Sequence, residues 1–328
     1  CIRDSGWSWG RADDPDLYDA DLVVAVERFQ RRHGLEADGV VGPLTLKALN
    51  VPVSRRINQL RVNLERWRWL PNELGEDHIL VNTAGFEISL NSGDQVVFSG
   101  RTVNGRVGRQ TPPIISQITH LVANPQWTVP RRIAVEDLLP GQQQDPEFLA
   151  RKRIRVNQWV AGELQELDPL AIDWSLYHKD NFPFVLRQDS GPGNSLGRVK
   201  FHLPNRQAIF LHDTPARGLF NRSQRAFSSG CVRVEGADQL AGLLVSRANP
   251  LDAGRYSQAM ASGETLWVPL ERPVPVYLTY FTSWVGEDGE VHFRPDIYRR
   301  NAELLLALGD EVQPVTAQNP KKSTSAQL

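Results

Sequence analysis

The chain has 328 residues with 37 basic against 38 acidic side chains, 41% hydrophobic and 23% charged. This is the composition of a folded globular protein with room for more than one domain, since a domain usually takes about 100 to 200 residues. Near-neutral charge gives no reason to expect nucleic acid or an anionic membrane as the main partner. No apolar run reaches the roughly 18 residues of a spanning helix, and Cys1 and Cys231 are too few for a disulfide framework.

Residues 1 to 18, with Trp7 and Trp9, read as an irregular opening segment. The chain begins with Cys1 rather than Met, which we read as removal of an N-terminal part; whether that part held a lipid or membrane anchor stays open. From Asp21, the apolar residues Leu22, Val23, Val26 and Phe29, with Arg31, Arg32 and His33 in the last turn and Gly34 after it, predict an amphipathic helix ended by glycine. An Ala37-Asp38-Gly39 turn leads to a second short helix from Pro43. A third, Arg55 to Trp69, carries Ile57, Leu60, Leu64 and Trp67 on one face.

Beyond Pro71 the pattern becomes strand-like. Runs at 78–82, 86–90 and 95–98 predict a meander, and 101–103 with 116–123 a further strand pair. Residues 131 to 190, with helical signals at 133–139 and 147–153, read as an insertion over the sheet that shapes a cleft. Strands are predicted again at 198–201, 208–213 and 232–234, then a helix from Gly236 to Ser246, strands at 266–269, 276–281 and 290–293, and a last helix from Asp296 to Leu308. The polar end of the chain reads as a frayed tail.

The chemistry concentrates at Ser229-Gly230-Cys231, which holds the only interior cysteine. A free thiol ionises near pH 8.5, so a nucleophilic cysteine needs an imidazole or oriented N–H groups beside it. Gly230 lets the backbone turn tightly, so that its N–H and that of Cys231 can point at an oxyanion. His212 is the candidate base. Strand alternation puts Phe210 and His212 on one face and Leu211 and Asp213 on the other. The Asp213 carboxylate is therefore badly placed to orient the ring, and its main-chain carbonyl is the better candidate. Ser229, Cys231 and Arg233 share a face if a strand begins at Cys231, and the Arg233 guanidinium suits a substrate carboxylate.

Several motifs then resemble one family. His212-Asp213-Thr214-Pro215 and Arg225-Ala226-Phe227-Ser228-Ser229-Gly230-Cys231-Val232-Arg233-Val234 resemble the active-site signature of L,D-transpeptidases of the YkuD-domain family. Asn63 to Pro71, Arg109-Gln110-Thr111-Pro112, Asn124 to Pro130 and Gly197-Arg198-Val199-Lys200-Phe201 resemble its YcbB-like branch. Ala25 to Leu35, Asp38 to Pro43 and Thr45-Leu46 resemble a small peptidoglycan-binding helical domain.

The resemblance implies an α+β protein: a β-rich YkuD-like catalytic domain over residues 53–310, a helical capping insertion over 131–190, a small N-terminal all-α domain within 1–52, and a tail over 311–328. It implies a periplasmic, cell-wall enzyme of peptidoglycan biogenesis that joins stem peptides by 3-3 cross-links and is a target of carbapenems. Its implied partners are stem peptides and glycan strands, with neither cofactor nor metal. Cys231 would be the nucleophile, His212 the base and acid, Asp213 its backbone orienter and Gly230 an oxyanion donor, while Arg233, Ser229 and Phe210 would meet substrate. The carboxylate role of Arg233 is our inference from its chemistry. The family often has His at the position of Ser229, so activation of the thiol falls on His212 alone, and Phe210 supplies no phenol where relatives carry tyrosine. The same dyad also serves an L,D-carboxypeptidase or endopeptidase, and a non-catalytic wall-binding protein is the third reading.

Overall fold

The computed structural model describes residues 17–248, 250–286 and 289–309. Cys1, the opening segment with Trp7 and Trp9, and the tail over 311–328 lie outside the described residues.

The N-terminal helices are α1 (Ala20–Arg32) and α2 (Pro43–Leu49), followed by α3 (Val53–Trp67). Asp19 caps α1 by accepting from the Leu22 N–H at 2.8 Å. The turn between α1 and α2 is held by buried Gln30, which donates to Asp38 Oδ1 at 2.8 Å and to the Val40 carbonyl at 2.9 Å and accepts from the Gly39 N–H at 2.9 Å. Gly39 adopts φ +70°, where a side chain would also strike Val23.

Helix α3 forms where the pattern placed it, but its apolar stripe is not the side that is buried. Ile57, Leu60, Leu64 and Trp67 are exposed, while Val62, Asn63 and Arg66 are buried. Polar contacts seat this helix: Gln59 donates to the carbonyls of Thr282 and Arg294 at 2.7 and 2.8 Å, and Asn63 donates to Thr282 Oγ1 at 2.9 Å.

The strands β1 (Asp77–Asn82), β2 (Glu87–Ser92), β3 (Gln95–Gly105) and β4 (Ile114–Ala123) lead to β5 (Trp127–Thr128). The insertion contains α4 (Arg131–Ile133), a π-helical turn (Ala134–Leu138), α5 (Leu139–Gln144), α6 (Phe148–Arg151), β6 (Ile154–Val160), β7 (Glu163–Leu167) and β8 (Phe184–Gln188). The chain continues through β9 (Val199–His202), β10 (Leu211–His212), β11 (Ala226–Ser228), β12 (Val232–Val234), α7 (Ala237–Ala248), α8 (Pro250–Ser262), β13 (Leu266–Thr279), β14 (Ser283–Val285), β15 (Val291–Phe293) and α9 (Arg300–Ala307).

Among the described residues the main sheet runs β11-β3-β12-β10-β9-β4-β13-β1-β2, and β2 pairs with β3 as well. The first part of β3 pairs β2 and its last part pairs β12 and β11, so the sheet closes on itself and leaves few open edges. The predicted pairing of 101–103 with 116–123 is not formed: 101–103 belongs to β3, and β4 lies between β9 and β13. The two strands expected at 266–269 and 276–281 are one strand, β13, with a shift of register between Pro269 and Val274.

Alternation sorts the sheet into two faces. Leu121, Phe201, Leu211, Val232 and Val234 point to a core that Leu240, Leu244 and Val245 of α7 share. Residues between them in sequence face the other way, and these include Lys200, His202, His212 and Arg233.

The insertion has its own core of Val129, Leu149, Val156, Trp174, Phe184 and Leu186. It combines the expected helices with a four-stranded sheet, β5-β8-β6-β7, that the sequence reading had not assigned.

Candidate active site

Strands β10 and β12 run parallel, with Leu211 beside Val232 and His212 beside Arg233. The Val232 N–H donates to the Phe210 carbonyl at 3.0 Å, which carries this pairing one residue beyond β10. Strand β9 lies on the other side of β10, with Lys200 opposite His212. On the face turned from the core, a row therefore reads Lys200, His212, Arg233, and beside it a second reads His202, Phe210, Cys231.

His212 is buried, 5% exposed. Its Nδ1 lies 2.5 Å from the Asp213 carbonyl. A carbonyl only accepts, so Nδ1 carries the hydrogen and Nε2 keeps its lone pair. Burial pulls the imidazole down to about 4, and the positive charges of Arg233 and Lys200 push the same way, against the carbonyls of Asp213 and Leu196. At neutral pH the ring is an uncharged base.

The Asp213 carboxylate points elsewhere and is 2% exposed. It accepts from the Arg198 N–H at 2.9 Å and from Arg217 Nη2 at 3.0 Å. Gly197, at φ +64°, packs so closely on this carboxylate that any β-carbon would overlap it.

Cys231 is half-buried, and its Sγ lies 3.8 Å from the Ala208 carbonyl. Burial raises the thiol above its ordinary value, while the Phe210 N–H, Lys200 and Arg233 act to lower it. The resting pair is therefore neutral thiol and neutral imidazole.

The loop before the thiol is held by hydrogen bonds. Gly230 adopts φ +121°. Ser228 Oγ donates to the Cys231 carbonyl at 2.5 Å and accepts from the Gly230 N–H at 3.1 Å. The expectation that Gly230 offers its N–H to an oxyanion is thus revised: that N–H is engaged by Ser228, and the Cys231 N–H has no such partner among the described residues. Thr111 Oγ1 donates to the Gly230 carbonyl at 2.7 Å and accepts from the Gly105 N–H at 2.9 Å.

Ser229 is turned toward Arg109 rather than presented to substrate, accepting from Arg109 Nη1 at 2.8 Å. The Arg109 side chain is 3% exposed and also donates to Asp137 Oδ2 at 2.6 Å and Glu136 Oε2 at 2.5 Å, both on the π-helical turn of the insertion. Phe210 is half-buried, with Lys200 Nζ 3.8 Å from its ring centroid and the His202 ring 5.5 Å away. Arg233 is half-buried, and its Nε is buried without a partner among the described residues.

The sequence reading gave Arg109, Thr111 and Lys200 no individual role. For Lys200 the signal was present: in Val199-Lys200-Phe201-His202 the apolar residues alternate with polar ones, which places Lys200 and His202 on the face of His212.

The site thus sets a thiol at the mouth of one strand and a buried imidazole, its hydrogen fixed on Nδ1, on the parallel strand beside it. Residues 76–264 match the family described as "L,D-transpeptidase catalytic domain", YkuD, and residues 4–49 match a "Putative peptidoglycan binding domain". The chain is 36% identical over 260 residues to a Haemophilus influenzae protein named "Putative L,D-transpeptidase", covering 78% of this chain and 51% of that one. It thus spans about half the length of that curated relative. Similar solved structures include an L,D-transpeptidase from Stackebrandtia nassauensis, with 11% identity, TM-score 0.30 and coverage of 84% of this chain and 86% of that one. Another, from Mycobacterium smegmatis, has 13% identity, TM-score 0.28 and coverage of 61% and 58%. The chain belongs to the YkuD family of L,D-transpeptidase catalytic domains and carries a peptidoglycan-binding domain ahead of it.

Proposed function

We propose that the protein is an L,D-transpeptidase of the YcbB-like branch, forming 3-3 peptidoglycan cross-links through a thioester on Cys231. The observation that carries this reading is the placement of Cys231 and His212 on one sheet face, with His212 Nδ1 tied to the Asp213 carbonyl at 2.5 Å.

In the first half-reaction, His212 Nε2 takes the thiol proton as Sγ attacks the carbonyl that precedes the terminal D-alanine of a tetrapeptide stem. A carbon–sulfur bond forms and the carbonyl electrons move to oxygen, where the Cys231 N–H stabilises them. Collapse breaks the carbon–nitrogen bond, and the imidazolium returns its proton to the departing D-alanine amine. In the second half-reaction, the side-chain amine of diaminopimelate on a neighbouring stem attacks the thioester. His212 takes the amine proton and passes it to the leaving thiolate, which restores the starting state.

Asp213 orients His212 by its carbonyl, Arg233 meets a substrate carboxylate, and Phe210 lines the floor of the groove. Ser229 acts through the Arg109 contact. Carbapenems acylate the same thiol. The helical domain within residues 1–52 holds the enzyme on glycan strands in the periplasm, and among the described residues no helix is long and apolar enough to cross a membrane.

The test is incubation of the purified protein with disaccharide tetrapeptide and mass analysis of the products, with Cys231→Ala alongside. Cross-linked dimers made by the wild type alone are expected. Shortened monomers without dimers would make the enzyme an L,D-carboxypeptidase, and an unchanged donor would leave only the wall-binding reading.

A further inference from the structure

The face that holds the dyad is cationic on both sides of the imidazole. His212 has Lys200 as its register neighbour on β9 and Arg233 on β12. With strands about 4.8 Å apart, the two cations stand on backbones roughly 10 Å from each other, with the base between them. Neither forms an ion pair with a carboxylate among the described residues. The nearest acidic side chain in sequence, Asp213, points away and is bonded to Arg198 and Arg217. Two half-buried cations without counter-ions, beside a nucleophile, form a receptor for anions.

The two sides differ in room. Beyond Arg233 the row meets Val103 of β3, which is fully buried. Beyond Lys200 the row first meets Val122 of β4, which is also buried, but beside it the face opens along His202 and His120 of the neighbouring row to Trp267, the rings stacking at 4.3 and 4.9 Å; Trp267 is 62% exposed. Lys200 itself rests over the Phe210 ring, and burial pulls its ammonium below the usual value, which an ionised Cys231 would oppose. A short, terminal carboxylate fits the closed side and a carboxylate on a long side chain fits the open one.

We propose that Lys200 is a specificity determinant that binds the side-chain carboxylate of the diaminopimelate residue supplying the carbonyl, while Arg233 holds the terminal carboxylate of the departing residue. This rests on the transpeptidase reading above. Amidation of the diaminopimelate side chain removes the charge that Lys200 reads. One charge-assisted hydrogen bond corresponds to about tenfold or more in kcat/KM.

The experiment compares two donor tetrapeptides, one with the diaminopimelate side-chain carboxylate free and one with it amidated, for the wild type, Lys200→Gln and Lys200→Arg. The wild type is expected to favour the free acid by about tenfold or more in kcat/KM. Lys200→Gln should bring the acid-to-amide ratio close to one, and Lys200→Arg should keep the preference. A wild type that does not discriminate, or a Lys200→Gln that lowers both donors by the same factor, overturns the proposal and leaves Lys200 with a purely electrostatic effect on the thiol. A wild type that releases D-alanine from neither donor and forms no carbapenem adduct on Cys231 overturns the transpeptidase reading, and this proposal falls with it.

Discussion

Arg109 Nη1 donates to Ser229 Oγ at 2.8 Å, two residues ahead of the thiol, and the same guanidinium is held by Asp137 and Glu136 of the capping insertion. One buried cation thus joins the cap to the nucleophile loop. Ser229, between Ser228 and Gly230, is the side chain by which the loop is tied to the cap.

Arg109→Met removes the donor to Ser229 and the buried cation shared by two acidic side chains, leaving Glu136 with Arg132 and Asp137 with Arg106 as their remaining exposed partners. Because Glu136 and Asp137 are partly exposed, water and these two arginines compensate for some of the loss, and we expect a lower midpoint in urea unfolding without a change of slope. Thioester formation should slow as well, since the loop carrying Cys231 loses a tether. An Arg109→Met enzyme with wild-type stability and acylation rate would contradict the coupling of cap and loop.

The Gly197 contact with Asp213 gives a second prediction. An alanine there needs an unfavourable positive φ, and its methyl group would displace the carboxylate that anchors the start of the segment behind His212. Gly197→Ala should cost about 2 kcal/mol or more and lower kcat more than it raises KM, because the imidazole is misplaced rather than the substrate. Unchanged kcat with an intact fold would show that the Asp213 carboxylate does not influence the ring.

Two buried imidazoles set a pH window for stability. His212 and His33 are each held at about 4 mainly by burial, against an unfolded value of 6.5. Between these values the unfolded chain binds more protons than the native one, so stability falls as pH drops from about 6.5 to about 4. The full window corresponds to about 3 kcal/mol for each ring. Urea unfolding from pH 7.5 to 4.5 should show this slope, and His33→Gln should roughly halve it. A stability that is flat across this range would contradict neutral burial of both rings.

How much of this was legible in the sequence depended on whether one local rule governed the residue. Alternation placed His212 away from Leu211 and withdrew the Asp213 carboxylate from the ring, because a strand has period two whatever it pairs with. The Asp38-Gly39 turn followed from the positive φ that glycine tolerates. The seating of helix α3 was not legible in this way: periodicity gave the helix and its apolar stripe, but Gln59, Asn63 and Arg66 are what the rest of the fold holds. That choice belongs to tertiary hydrogen bonding with Thr282 and Asn301, more than two hundred residues away. Closure of the sheet through β3 was hidden for the same reason, since a strand's two halves can pair with different partners without any sign in its composition. The Gly230 N–H was assigned from the glycine alone, and the Ser228 hydroxyl that engages it lies too close in sequence to announce its direction. Lys200 was readable from alternation but lacked a reason to be singled out until the register set it opposite His212.

The most direct test of the account is the intact mass of the protein quenched during incubation with a tetrapeptide donor whose diaminopimelate side-chain amine is acetylated, so that no acceptor amine is present. The account predicts a mass gain equal to the donor minus D-alanine, located on the peptide that contains Cys231 and absent from Cys231→Ala. Cross-linked product from Cys231→Ala, or turnover by the wild type with the acyl group on another residue, would contradict it.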